Sequence, residues 1–228
     1  MLNFRYIITT AAIAFSVFCA QALSQRSGSS SSRKAEIATI ERDLASTVPS
    51  GRDGDFRKMV ASAVDGDQYA QAMLAKLYEV ENMPSRALKW YARSADNGFG
   101  AAARRLAIIY MGGHGVPKDM DVSIRWMKRG SELDDAECQY GLAVIYMNDQ
   151  YKDDRQAIYW LQKSAENGYD EAQYKLGMCY TLGELVEQDV KTGAEWLIKA
   201  ADNGNENAIK ILSQVFEEGN RNERKTHK

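Results

Sequence analysis

Histidine is nearly absent from this chain, with two in 228 residues, His114 and His227. A Ser-His-Asp or Cys-His hydrolase needs an imidazole held beside its nucleophile, whereas His114 stands in a Gly-His-Gly turn and His227 in the tail. Cysteine is as scarce. Cys19 falls in the N-terminal apolar run, and Cys138 and Cys179 are too separated to make a zinc site, with no histidine to join them. An excess of either charge is missing too: 29 Lys and Arg stand against 31 Asp and Glu, a net charge of −2. The signs alternate, as in Glu41-Arg42-Asp43 and Asp153-Asp154-Arg155, so no basic face is offered to a nucleic acid. Gly113-His114-Gly115 follows a helical pattern where a phosphate cradle would follow a strand. Asp153-Asp154 lacks the further oxygen ligands of a calcium loop and reads as a helix cap. The sequence therefore points to no cofactor, no metal, no nucleic acid and no catalytic residue.

Long apolar runs are also few. One runs from about Ile7 to Ala20, behind Arg5 and ahead of the small residues Ala20 and Ala22, which marks residues 1–22 as a secretory signal peptide. It is shorter than the ~20 residues a membrane-spanning helix needs, so no stable span is expected after cleavage. The alternatives are an uncleaved anchor, or a lipoprotein signal using Cys19, which bulky Phe18 disfavours. The expected location is exported, periplasmic or secreted, in a cell envelope. Residues 23–33, rich in serine, have too little apolar surface to fold and read as a flexible tether. The remaining chain, roughly two hundred residues, is enough for one domain with a sizeable core.

What the chain does have is a repeat. Its four tryptophans, Trp90, Trp126, Trp160 and Trp196, are spaced by 36, 34 and 36 residues. A new unit opens eight residues after each, at Gly98, Asp134, Gly168 and Gly204, and an earlier one opens at Gly66. Four residues into each unit comes a small residue (Ala70, Ala102, Cys138, Ala172, Ala208). Four further on come Leu74, Leu106, Leu142, Leu176 and Leu212, and four beyond those the aromatics Tyr78, Tyr110, Tyr146, Tyr180 and Phe216. Such a period predicts an all-α fold, a right-handed α-solenoid of helix-turn-helix units. In the unit from Gly168, Ala172, Leu176, Cys179 and Tyr180 lie on one stripe, and Gly183 ends that helix. Asp189 then caps a second helix bearing Val190, Ala194, Leu197 and Ala201, stopped by Asn203-Gly204.

The residue after each leucine is small (Ala75, Ala107, Ala143, Gly177, Ser213), because there the second helix presses on the first. The tryptophans serve as apolar plates between neighbouring units. The same register sets Cys138 and Cys179 roughly 10 Å apart along the helix axis, beyond disulfide reach, so two buried free thiols are expected.

These columns resemble the Sel1-like repeats, relatives of the tetratricopeptide repeats. The second unit matches best, with Gly113, Gly115, Val116 and Asp119 in the inter-helix loop and Trp126 in the second helix. The fourth keeps Gly183, Val186 and Asp189 but has Leu185 where the second glycine should stand. The resulting division is a helical N-terminal cap over 34–65 and repeats at 66–97, 98–133, 134–167 and 168–203. A C-terminal capping helix at 204–219 and a basic disordered tail at 220–228 complete it.

The resemblance implies that the first helices line a concave face. The residues one or two before and two after each leucine then point into it: Met73 and Lys76; Arg104, Arg105 and Ile108; Tyr140 and Val144; Tyr174, Lys175 and Met178; Lys210 and Gln214. That set contains no acid. It suits a protein or peptide partner that is acidic or ends in a free carboxylate. The function this implies is a non-enzymatic exported adaptor or regulator. One alternative is a secreted repeat enzyme of penicillin-binding or β-lactamase type, whose paired cysteines this chain lacks. Another is a quality-control adaptor of a secretory pathway, although the chain ends Lys-Thr-His-Lys, not in a luminal retention signal.

Overall fold

The computed structural model describes residues 30–45 and 53–226, which form eleven helices and no strand. Residues 1–22, read as a signal peptide, and most of the stretch read as a tether lie outside these residues. In order the helices are α1 (30–43), α2 (Asp53–Val64), α3 (Gln68–Val80), α4 (Pro84–Asp96), α5 (Gly100–Gly112), α6 (Met120–Glu132), α7 (Ala136–Met147), α8 (Asp154–Glu166), α9 (Asp170–Leu182), α10 (Val190–Asp202) and α11 (Glu206–Thr226). The pairs α3/α4, α5/α6, α7/α8 and α9/α10 pack most closely, and each pair stacks on the next. This is an α-solenoid. The cap is a helix pair as well, with Val60 and Ala63 of α2 buried alongside Ile40 and Leu44.

Each turn of the pattern has a local cause. The unit-opening residues Gly66, Gly98, Gly168 and Gly204 all adopt positive φ, and so does Asp134, one of the few residue types that tolerates it. In all four units the first residue of the second helix's cap (Met83, Asp119, Asp153, Asp189) donates its N–H to the carbonyl of the aromatic column (Tyr78, Tyr110, Tyr146, Tyr180) at 2.8–2.9 Å. Asp153 and Asp189 also accept from N–H groups of the first turn, Arg155 and Gln156 in one case and Lys191 and Thr192 in the other. Leu185 takes φ +64 at the position of Gly115, φ +77. That left-handed leucine costs roughly 1–2 kcal/mol, offset by its packing on the Leu161–Leu176 cluster.

Leu74, Leu106, Leu142 and Leu176 are at most 1% exposed, and burying each contributes about 1.5–3 kcal/mol. Of the tryptophans only Trp90 is buried, while the other three are half-buried. Trp126 and Trp160 each pack against two successive core clusters, as plates between units should. Cys138 and Cys179 are free and buried, and burial pushes both thiols up in pKa, so they stay protonated and unreactive.

Several expectations need correction. Helix α1 begins at residue 30, inside the stretch read as tether, and Arg33 pairs there with Asp65. Helix α11 runs to Thr226, through positions read as a disordered tail. Acidic residues followed by basic ones, with no proline, suit a continuing helix. Val190 is exposed, because at the first position of α10 it lies outside the crossing, which Gly193, Leu197 and Ala200 occupy instead. Phe216 is likewise exposed, since α11 packs on α10 and no helix follows it among the described residues.

A polar device runs through the core beside these apolar columns. Gln71, Gln139 and Gln173 are buried at equivalent places in α3, α7 and α9. Each donates its amide to a carbonyl near the end of the preceding helix (Ala63, Ser131, Ala165) at 2.9–3.2 Å. Each accepts from the asparagine that ends the following helix (Asn97, Asn167, Asn203) at 2.8–2.9 Å. One side chain thus ties three consecutive helices. In the remaining unit Ala103 and Leu133 stand at both positions, so donor and acceptor are lost together and no buried amide is orphaned.

Candidate partner-binding face

Residues two after each leucine share one helical register, so they form a row across the first helices: Lys76, Ile108, Val144, Met178 and Gln214. Ile108 is 37% and Val144 46% exposed, Met178 is half-buried, and both ends of the row are polar and exposed. Helices α5 and α7 touch directly. Tyr140 of α7 packs on the cluster holding Ala172 and Leu176 of α9. One turn before Val144 and Met178 stand Tyr140 and Tyr174, both half-buried, with Lys175 beside the latter. Met73 on α3 and Lys210 on α11 are exposed.

The arginines of this face are not free. Arg105 is ion-paired with Glu79 of α3, and Arg104 reaches Glu137 and, at 3.5 Å, Asp135 of α7. Lys76 lies 3.6 Å from Glu79 as well. The acids that neutralise the face sit on neighbouring helices, at positions not counted among the inward-pointing ones. Lys175 and Lys210 have no ion pair among the described residues.

Glu79 is the hub of the first junction. It accepts from Tyr91 at 2.9 Å and from Arg105, joining α3, α4 and α5. Burial raises the pKa of its carboxyl, but the hydrogen bonds from Arg105 and Tyr91 and the charges of Arg105 and Lys76 together outweigh that and hold it low. A depressed carboxyl stabilises the fold above its unfolded pKa, and that stability is lost as pH falls through the folded value. Stability should therefore decline below about pH 4.5. Glu79→Gln should shrink this acid limb in pH-dependent melts, and an unchanged limb would remove Glu79 from it.

Two aromatic pairs edge the face. Phe99 and Tyr169 occupy cap positions where Asp67 and Asp135 hydrogen-bond to the helix, and each aromatic packs on a tyrosine of the preceding first helix. The rings are 5.0 Å apart for Tyr69 and Phe99, and 5.3 Å for Tyr140 and Tyr169. Burial, and then Glu171, raises the Tyr140 pKa, so its hydroxyl is kept as a donor. A cleft of about 620 Å³ also lies where α1 meets α3 and α4. Of its cations, Arg86 and Lys89, the first is held by Asp43 of α1, and its acid Glu36 is paired with Arg93 of α4, which makes it the seam of the cap.

The Sel1 repeat model matches four consecutive segments, residues 68–99, 100–135, 136–169 and 170–205, in the phase of the helix pairs. The chain belongs to the Sel1 repeat family. A Sel1 repeat protein from Oxalobacter formigenes has a similar structure, with TM-score 0.63 and 26% identity over 78% of each chain. So has c5321, a protective antigen of uropathogenic Escherichia coli with an SLR fold, at TM-score 0.61 and 27% identity over 82% of this chain and 42% of that one. Chitin synthase regulatory factor 3 of Schizosaccharomyces pombe is 32% identical over 143 residues, 57% of this chain. The chain spans 15% of the length of that relative. A Sel1 array of this kind is consistent with a protein-interaction module.

Among the residues expected to bind, the Sel1 array brings Ile108, Val144 and Met178 into one row with Tyr140 and Tyr174 beside them. Met73 and Lys210 are set at its two ends, and Arg104 and Arg105 are committed to junctions. Sequence reading missed Glu79, Glu137 and Tyr169. Only Asp135 had a visible signal, as a cap.

Proposed function

We propose that this protein is a non-enzymatic, exported interaction module that holds a partner protein or peptide on its first-helix face. The observation that carries the reading is the pair of exposed apolar side chains, Ile108 and Val144, at equivalent positions of α5 and α7, which the core clusters of the fold do not include. A regulatory role for the yeast relative agrees with it. An acidic or carboxylate-bearing partner would find Lys175 and Lys210, but not the two arginines, which have carboxylates already.

Photocrosslinking groups placed at Tyr140 and Tyr174 in cells should enrich a partner over the same group at Tyr159, an exposed position on second helix α8. Equal labelling from all three sites would discard the face. Export rests on the N-terminal segment, and thiol counting tests it. Alkylation of the denatured protein from cells should give two labels, for Cys138 and Cys179, once residues 1–22 have been removed. Three labels would mean that Cys19 and its segment remain.

A further inference from the structure

We infer that α11 is a self-association helix, whose exposed stripe of Ile209, Ser213 and Phe216 packs against the same stripe of a second copy of this chain running antiparallel. This goes beyond the first-helix face and does not depend on it.

Register shows what α11 leaves open. Ile209, Leu212, Ser213 and Phe216 hold the places that Gln71, Leu74, Ala75 and Tyr78 hold in α3. At those places in α3, α5, α7 and α9 every residue is buried or half-buried where the second helix of the unit packs. On α11, Ile209 is 45% and Phe216 71% exposed, with exposed Ser213 between them. Spacings of four and three set the three on one side of the helix. The surface is thus a complete helix-packing face, its small close-approach residue included. Burying Ser213 would strand no donor, because its hydroxyl already donates to the Ile209 carbonyl at 2.8 Å. At 21 residues against 12 or 13 for α2 to α10, α11 also offers a seam about 31 Å long.

Size and charge select the occupant. Ile209 stands in the glutamine column and offers no acceptor to an asparagine like those that end α4, α8 and α10, so the amide tie of the other units is not what this face seeks. A second α11 matches it. Antiparallel helices can set Ser213 of each copy beneath the Phe216 ring of the other, small against large. Lys210, three residues before Ser213, and Glu217, one after Phe216, then fall on the same flank of the seam, about 3 Å apart along the axis. Each Lys210 meets the other copy's Glu217, so the pair forms twice. A parallel arrangement would put these flanks on opposite sides of the seam and make neither contact. Both side chains are exposed, and neither has an ion pair among the described residues.

A stable dimer buries about 800 Å² per partner, and one helix stripe covers less, so the association should be weak, with a Kd of about 10–100 µM. Sedimentation velocity on the chain as purified from cells, at about 1–300 µM protein and about 0.05 M salt, should show a monomer passing to a dimer. Phe216→Glu should weaken the dimer at least about tenfold with an unchanged melt, since the side chain is exposed in the monomer. Lys210→Glu should weaken it about threefold or more by setting acid against acid at two places, and adding Glu217→Lys should restore it to within about twofold. Recovery by the double exchange is specific to the antiparallel register, because positions seven apart on one helix do not touch. A monomer throughout, assemblies larger than a dimer, full dimerisation of Phe216→Glu, or a double exchange as weak as the single one would each overturn the inference. None of these outcomes bears on crosslinking from Tyr140 and Tyr174, which tests the first-helix face separately.

Discussion

Gly193→Val is expected to cost about 3 kcal/mol or more and to unfold α10 and α11 ahead of the rest of the array. A Cβ built on Gly193 would meet the Thr181 hydroxyl, the carbonyl of Gly177 at 2.8 Å and the N–H nitrogen of Thr181 at 2.9 Å. Two of these three are backbone atoms, so no side chain can rotate away. The reciprocal position is as tight, since a Cβ on Gly177 would meet Leu197 at 2.8 Å and the Gly193 carbonyl at 3.0 Å. The equivalent positions of the other units are small and buried as well (Ala75 and Ala87, Ala107 and Ser123, Ala143 and Ala157), and the crossing of α9 with α10 uses glycine on both sides. Because repeats contact mainly their neighbours, the damage should stay local. Hydrogen exchange should show protection lost first over α10 and α11. A melt and exchange pattern like those of the native protein would refute the close crossing.

The second large effect concerns the buried glutamines. Asn167→Leu alone should cost about 1–3 kcal/mol, because it strands the Gln139 carbonyl oxygen at a site only 1% exposed. Adding Gln139→Ala should recover part of that loss. The double variant copies Ala103 and Leu133, and the Ser131 carbonyl it vacates still accepts from Asp134. A double-mutant cycle by chemical denaturation decides the matter. Strictly additive losses would mean that the two side chains act independently.

Much of this architecture was legible because it is carried by columns. The leucine, small-residue and tryptophan positions each repeat a single packing task, so the period alone exposes them. The Gln71, Gln139, Gln173 column and its Asn97, Asn167, Asn203 partner were equally in register. They passed unread because a polar residue next to a small one looks like a solvated position until its burial is known. The face was legible in part. Counting from the leucines finds Ile108, Val144 and Met178, since helical geometry alone fixes where they sit. It does not find that Glu79 lies against Arg105 or Glu137 against Arg104. Those acids come from the adjacent units, 26 and 33 positions away, and whether they reach the arginines depends on rotamers that no pattern encodes. Helix length at the ends was misjudged for a related reason, because composition suggested a tether and a tail where local helix preference prevails.

The absence of the glutamine tie at Ala103 and Leu133 gives the array an uneven stiffness. Directional hydrogen bonds resist sliding of one helix past another, whereas an alanine against a leucine permits it at little cost. Bending will therefore concentrate at α5, which is held to α3 and α4 by the Glu79 hub but has no buried amide tie, leaving α6 to α10 as one stiff block and the cap with α3 and α4 as another. Ile108 stands beside that joint and Val144 on the stiff side of it. An incoming chain would thus meet a surface whose pitch is adjustable at one end and fixed at the other.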